Sequence, residues 1–163
     1  MASCTATDNR KETTVSMGQI AVAEAPDGLK SILGSCIGLA IYHPRKRVGV
    51  LGHIVLPKSS GKAALPGKFA DLAVPNMLKK LREKGVSTAG LIAKMAGGAN
   101  MFGKGGPLQI GDANVEAVLR ELAAARIRPA GKDVGGTSGR RVVFDCSTGK
   151  MTIEVVGEPP RVI

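Results

Sequence analysis

The chain has 163 residues, enough for one domain with a buried core, and 44% of them are hydrophobic, which excludes an intrinsically disordered chain. Aromatic residues make up 2% and Trp is absent, so the core has to be built from Val, Ile, Leu, Met and Ala. Lys and Arg total 23 against 13 for Asp and Glu; the net charge of +10 favours acidic partners, while its scatter and the scarcity of stacking rings argue against a nucleic-acid binder.

Residues 1–15 read as a flexible polar arm carrying Cys4, and residues 16–163 as a single domain. The opening MASCTATDNRKETT lacks the apolar stretch of a secretory signal, and no apolar run is long enough to span a membrane. Three cysteines without a CxxC pair signal neither a disulfide framework nor a zinc cluster, and reduced thiols suit a cytoplasmic protein. Residues 17–25 predict a first strand, followed by the turn PDG. Residues 29–42 and 48–56 predict extended segments split by HPRKR.

After the glycine-rich SSGKAALPG, residues 71–84 predict a helix. Val74, Met77, Leu78 and Leu81 fall at helical spacing, Pro75 fits the first turn, and Gly85 ends it. Residues 89–96 predict a buried strand and GGANMFGKGG a loop. Asp112 is placed to cap a second helix with an apolar stripe of Val115, Val118, Leu119 and Leu122. Residues 141–146 and 151–156 flank STG as a hairpin. Strands dominate, with two main helices, so the expected class is α+β: a mostly antiparallel or mixed β-sandwich with the helices packed on it. No long apolar helix face is left over once the core is assigned, and a monomer is expected.

Cys36 and His53 stand in the two extended segments beside HPRKR. If His43, Pro44, Arg45 and Lys46 form the loop, Tyr42 pairs with Arg47, and counting outward sets Cys36 directly opposite His53. An imidazole beside a thiol takes its proton and makes a strong nucleophile. Gly34 and Gly38 on either side give room for a substrate carbonyl and expose backbone N–H groups for an oxyanion. Packing alone accounts for the same residues as a small buried hydrophobe and a satisfied core histidine. His43, beside Pro44 in a basic turn, reads as solvated.

The stretches LGSCIGLAIYHP, VGVLGHIVLP, KMAGGANMF, IGDANVEAV and DVGGTSGRRVVFD, in this order, resemble the CheD family of chemoreceptor glutamine deamidases. The resemblance runs from about Gly18 to Val156. It implies an α/β sandwich whose Cys–His arrangement is similar to that of the cytotoxic necrotizing factor toxins. It also implies hydrolysis of receptor glutamine side chains to glutamate and, in some members, of receptor glutamyl methyl esters. By the resemblance Cys36 matches the family nucleophile and His53 its base. The family has a Thr a few residues before the Cys; here LKSILGSC offers Lys30 and Ser31. The third role passes to Ser31, which keeps a hydroxyl, or is missing if the match is Lys30. Gly97, Gly98 and Asn100 match a family loop and read as turn geometry. The implied partners are the cytoplasmic domains of methyl-accepting chemoreceptors and, in many organisms, a CheC-type phosphatase. A basic surface would steer the protein to acidic receptor bundles. No metal or organic cofactor is signalled. An adaptor that binds the same partners with little catalysis is the competing reading.

Overall fold

Two five-stranded sheets and two helices form the computed structural model, which describes residues 9–61, 64–101 and 109–163. The strands are β1 (Glu12–Thr14), β2 (Ile20–Glu24), β3 (Gly28–Leu33), β4 (Ile37–His43), β5 (Val48–Ile54), β6 (Ile92–Gly97), β7 (Arg128–Val134), β8 (Arg140–Asp145), β9 (Lys150–Glu154) and β10 (Arg161–Val162). The helices are α1 (Ala70–Glu83) and α2 (Ile110–Ala124). One sheet runs β2-β5-β4-β6-β7 and the other β1-β3-β8-β9-β10. Two pairs, β1 with β3 and β6 with β7, are parallel and the rest antiparallel, so the α+β reading with mixed sheets holds.

The first sheet lies in the middle, with a core on each face. Ile37, Leu39, Ile41, Val50 and Ile54 pack with Val74, Met77, Leu81, Val118 and Leu122 of the helices. The opposite face sends Ala40, Tyr42 and Leu51 against Leu29, Leu33, Val142, Phe144 and Ile153 of the second sheet. A sheet covered on both faces reads as unbroken apolar sequence, and all seven residues of β5 are buried. The second sheet is covered on one face, and its strands alternate accordingly, as in RRVVFD of β8. Phe144 and Tyr42 meet edge to face across the sandwich with ring centroids 5.3 Å apart.

Several elements differ from the sequence reading. Of the segment read as a polar arm, residues 1–8, with Cys4, lie outside the described residues, and Glu12–Thr14 forms β1. Residues 29–42 are not one extended segment. The chain leaves the second sheet after Leu33 and enters the first at Ile37, crossing between layers over Gly34, Ser35 and Cys36. β7 has no clear signature in the sequence because Pro129 and Gly131 dilute its pattern and it sits at the sheet edge, where little of it is buried. Pro75 lies in the second turn of α1, not the first, and the bond its N–H would give to Asp71 is forfeited. Asp112 is not the cap of α2. The helix begins two residues earlier, and the Asp112 carboxylate accepts from Asn100 Nδ2 at 3.0 Å. The GGANMFGKGG segment is described through Met101; residues 102–108 lie outside.

The β4–β5 register also moves. The loop is Pro44, Arg45, Lys46 and Arg47, with His43 opposite Val48 and Arg47 N–H donating to His43 O at 2.8 Å. Arg47 adopts φ 54°, which closes the turn one residue later than expected. Gly38, not Cys36, therefore faces His53. The displacement is two residues, and because side chains alternate with period two, Cys36 and His53 still lie on the same face.

α1 is held to the middle sheet chiefly by Val74, Met77 and Leu81, with Met77 filling the space over Gly52, where a Cβ would come within 2.8 Å of its sulfur. Met77→Ala should destabilise the fold by about 2–5 kcal/mol in a urea titration with an unchanged m-value. A loss under about 1 kcal/mol would mean that the helix is not anchored there.

Candidate active site

Three residues carry the chain from one sheet to the other, and each of their carbonyls is tied. Ala99 N–H donates to Gly34 O at 3.0 Å, Asn114 Nδ2 to Ser35 O at 2.9 Å, and Gly98 N–H to Cys36 O at 2.9 Å. The N–H groups of Ser35 and Cys36 have no partner among the described residues. A peptide is planar with its N–H opposed to its C=O, so fixing Gly34 O and Ser35 O aims these two N–H groups. The result is a pair of preset donors beside the Cys36 thiol, the arrangement that stabilises an oxyanion.

Gly97 and Gly98, expected as turn residues, do turn, with φ of 107° and 64°, but the close approach matters more: a Cβ on Gly97 would lie 2.2 Å from Cys36 O. The loop is anchored in turn by Asn100 N–H donating to Gly136 O at 2.9 Å. Gly136 belongs to a bend gathered around the buried Arg140 guanidinium, which donates to Asp133, Gly135 and Ser138. The family-like stretches KMAGGANMF and DVGGTSGRRVVFD thus meet behind the crossing.

His53 is 4% exposed and projects from β5 into the space between the sheets. Its Nδ1 lies 3.1 Å from Val15 O and 3.2 Å from Ser31 Oγ. Ser31 comes from β3 of the other sheet and is itself buried; its hydroxyl donates to Val15 O. With that proton committed, both neighbours of Nδ1 are acceptors toward it. The ring must carry its proton on Nδ1, leaving Nε2 bare as the basic nitrogen. Lys30, the other residue matching the family Thr position, points to the outer face and pairs loosely with Glu12 at 3.8 Å.

Cys36 is 8% exposed and stands two residues before Gly38, the partner of His53. Such diagonal neighbours have Cα atoms about 7–8 Å apart, within reach of a long side chain. No hydrogen bond joins Sγ to the ring, and the space over Gly38 is packed by the Leu33 and Val142 side chains of the facing sheet. Burial pushes the Cys36 thiol above its ordinary value. Burial also lowers His53, partly offset by its bond to the Val15 carbonyl. Both groups therefore rest neutral at pH 7, as thiol and imidazole. Cys146, also buried, is pushed up to about 11 and faces Ala23 O, away from this cluster. His43 lies at the opposite end of β4, where its Nδ1 accepts from Lys46 N–H. Among the described residues, no three His, Cys, Asp or Glu side chains converge as a metal site. An open groove of about 710 Å³ lies elsewhere, on the outer face of the second sheet around Ile32, Arg141 and Val156.

One further residue belongs to the cluster and does not stand out in the sequence. Asn114 of α2 is fully buried, and its Nδ2 donates both to Ser35 O and to Val55 O, each at 2.9 Å. The signal for it is a polar residue one helical turn before Val118, within an otherwise apolar face.

Residues 55–155 match the family model described as CheD chemotactic sensory transduction. That stretch begins two residues after His53 and includes Asn114 and the loop at Gly97. A protein of Clostridium botulinum (strain Eklund 17B / Type B) named "Probable chemoreceptor glutamine deamidase CheD" is 40% identical over 152 residues, covering 90% of this chain and 94% of its own. One of the same name from Methanococcus vannielii is 41% identical over 141 residues, covering 85% and 92%. Among solved structures, the Bacillus licheniformis hypothetical protein YfiH aligns with 72% of this chain and 51% of its own at a TM-score of 0.47 and 15% identity. A family match over more than half of the chain, together with 40% identity across nearly all of it, shows that the protein belongs to the CheD family.

Proposed function

We propose that this protein hydrolyses glutamine side chains of chemoreceptors to glutamate, with Cys36 as nucleophile, His53 as general base and acid, and Ser31 holding the ring. The observation that carries the proposal is the tethering of His53 Nδ1 by Val15 O and Ser31 Oγ from the opposite sheet, which leaves Nε2 free on the face shared with Cys36. The relatives' names supply the substrate class.

In the first step His53 Nε2 takes the Cys36 proton and the thiolate attacks the carboxamide carbon. The developing oxyanion is received by the Ser35 and Cys36 N–H groups. Protonated His53 then delivers its proton to the departing nitrogen, and ammonia leaves a thioester. Water, deprotonated by the same nitrogen, cleaves the thioester and returns glutamate and the free thiol. A glutamyl methyl ester enters the same thioester with methanol leaving. Starting from neutral thiol and imidazole, rather than a resting ion pair, keeps the buried site stable until a substrate carbonyl arrives. The Ser31 hydroxyl, 3.2 Å from His53 Nδ1, supports the passing of the third role to Ser31 and favours catalysis over the adaptor reading. A CheC-type phosphatase as a second partner, a cytoplasmic location and a monomeric state complete the proposal.

Incubation with a purified chemoreceptor cytoplasmic fragment, read by peptide mass spectrometry, should show gains of about one dalton at defined glutamines as –NH₂ is replaced by –OH. Cys36→Ala should lower the rate by roughly 10³-fold or more, and Ser31→Ala by about 10–100-fold. Receptor binding without any mass shift would return the protein to the adaptor class.

The acid limb of kcat/KM gives a second test. His53 must be neutral to act, and burial holds its pKa below 6.5, so the rate should climb with pH to a midpoint below 6.5 and stay level through neutrality. A midpoint above 6.5 would contradict a buried, neutral base.

A further inference from the structure

Asn114 binds the crossing from the helix layer, and its chemistry is asymmetric. Both Nδ2 hydrogens are spent on carbonyls, Ser35 O and Val55 O. Its Oδ1 is buried without a partner among the described residues. Turning the amide over would set that oxygen against two acceptors, so the neighbours dictate which end is nitrogen. A residue retained for packing would be better replaced by an apolar side chain of similar volume, which leaves no orphan oxygen. What Asn114 supplies and an apolar residue cannot is the pair of donated hydrogens.

The two acceptors identify what those hydrogens hold. Ser35 C=O and Cys36 N–H belong to one planar peptide unit and point in opposite directions. Holding the oxygen toward α2 therefore turns the Cys36 N–H away from it. Val55 follows His53 by two residues at the exit of β5. One carboxamide thus joins the peptide that precedes the thiol to the end of the strand that carries the imidazole. The two neighbouring tethers, from Ala99 and Gly98, come from backbone groups that any residue supplies. This tether comes from a side chain.

We infer that Asn114 is a positioning residue: its side-chain amide sets the Ser35–Cys36 peptide so that the Cys36 N–H faces the substrate carbonyl and the thiol keeps its place relative to His53. The inference rests on the Cys36–His53 reading above and deepens it. Asn114 acts through its neighbours and does not itself take part in proton transfer.

The test uses the full chain and needs no receptor. The rate of iodoacetamide alkylation of Cys36 at pH 7, read at the Cys36 peptide by mass spectrometry, is measured with and without His53→Ala in wild-type and Asn114→Leu backgrounds. Leu is close to Asn in size and donates nothing. His53→Ala should shift the rate downward in the wild type, because no imidazole then takes the thiol proton during attack, and in Asn114→Leu the same change should shift it little, because the pair is already uncoupled. Val118→Ala, a cavity variant of the same helix, controls for plain destabilisation and should keep the full shift. If Asn114→Leu does not fold, Asn114→Ser, with one donor on a shorter arm, takes its place. With the receptor fragment, the Asn114 variant should lose about 10–100-fold in kcat while KM stays within about twofold.

A His53-dependent shift of equal size in the Asn114 variant would overturn the inference while leaving the Cys–His pair intact. Loss of the shift in Val118→Ala would likewise overturn it, by showing that any loosening of α2 suffices. No shift in the wild type would instead remove the Cys–His reading, and the inference with it.

Discussion

Everything at the candidate site depends on one constraint: the chain passes from one sheet to the other in three residues, and the carbonyls of all three are tied from outside. Gly34, Ser35 and Cys36 have no strand partners of their own. Their carbonyls are taken up by the loop after β6 and by a side chain of α2. Gly34 and Ser35 are half-buried and Cys36 is buried, so without those bonds the crossing would carry poorly satisfied acceptors, at up to about 1–3 kcal/mol for a fully buried one. Meeting them leaves the opposite sides of two peptides, the N–H groups of Ser35 and Cys36, unpaired among the described residues. The same bonds that make the crossing tolerable therefore leave two N–H donors beside a thiol, the arrangement on which the proposed oxyanion site rests.

The three layers divide the work at that corner. The second sheet contributes Ser31, the middle sheet contributes His53 and leads out of Cys36, and the helix layer contributes Asn114. Each comes from an element fixed by its own apolar contacts: Ser31 between Leu29 and Leu33, His53 between Leu51 and Ile54, Asn114 beside Ala117 and Val118. A polar cluster so placed is rigid because the cores on either side of the middle sheet are packed independently of it. The cost is low solvent access, which drives both Cys36 and His53 to their neutral forms.

Glycine stands where two backbones touch beside the crossing: Gly97 lies against Cys36 O and Gly111 against Gly98 O, while Gly38, facing His53, makes room for the Leu33 side chain. Of the chain's 22 glycines, Gly97, Gly98 and Gly111 stand where strand, loop and helix N-terminus converge, and Gly49 and Gly52 inside β5 make room for the Phe144 and Met77 side chains.

Much of this architecture is legible in the residues themselves. The spacing of Val74, Met77 and Leu81 follows from the 3.6-residue period of helical backbone, and the largely apolar run of β5 from a strand covered on both faces. Cys36 and His53 stand out as chemically capable residues, and parity alone keeps them on one face despite a register two residues away from the expected one. What the sequence cannot decide is what depends on a neighbouring layer. The break of residues 29–42 into two strands of different sheets, the weak edge strand β7, the meeting of Ser31 with His53 and the reach of Asn114 to Ser35 are all set by contacts between residues far apart in the chain. Residue type and spacing determined which side chains could do chemistry and which faces would be buried. Only the stacking of the three layers decided which of them meet, because no local pattern encodes the distance between two sheets.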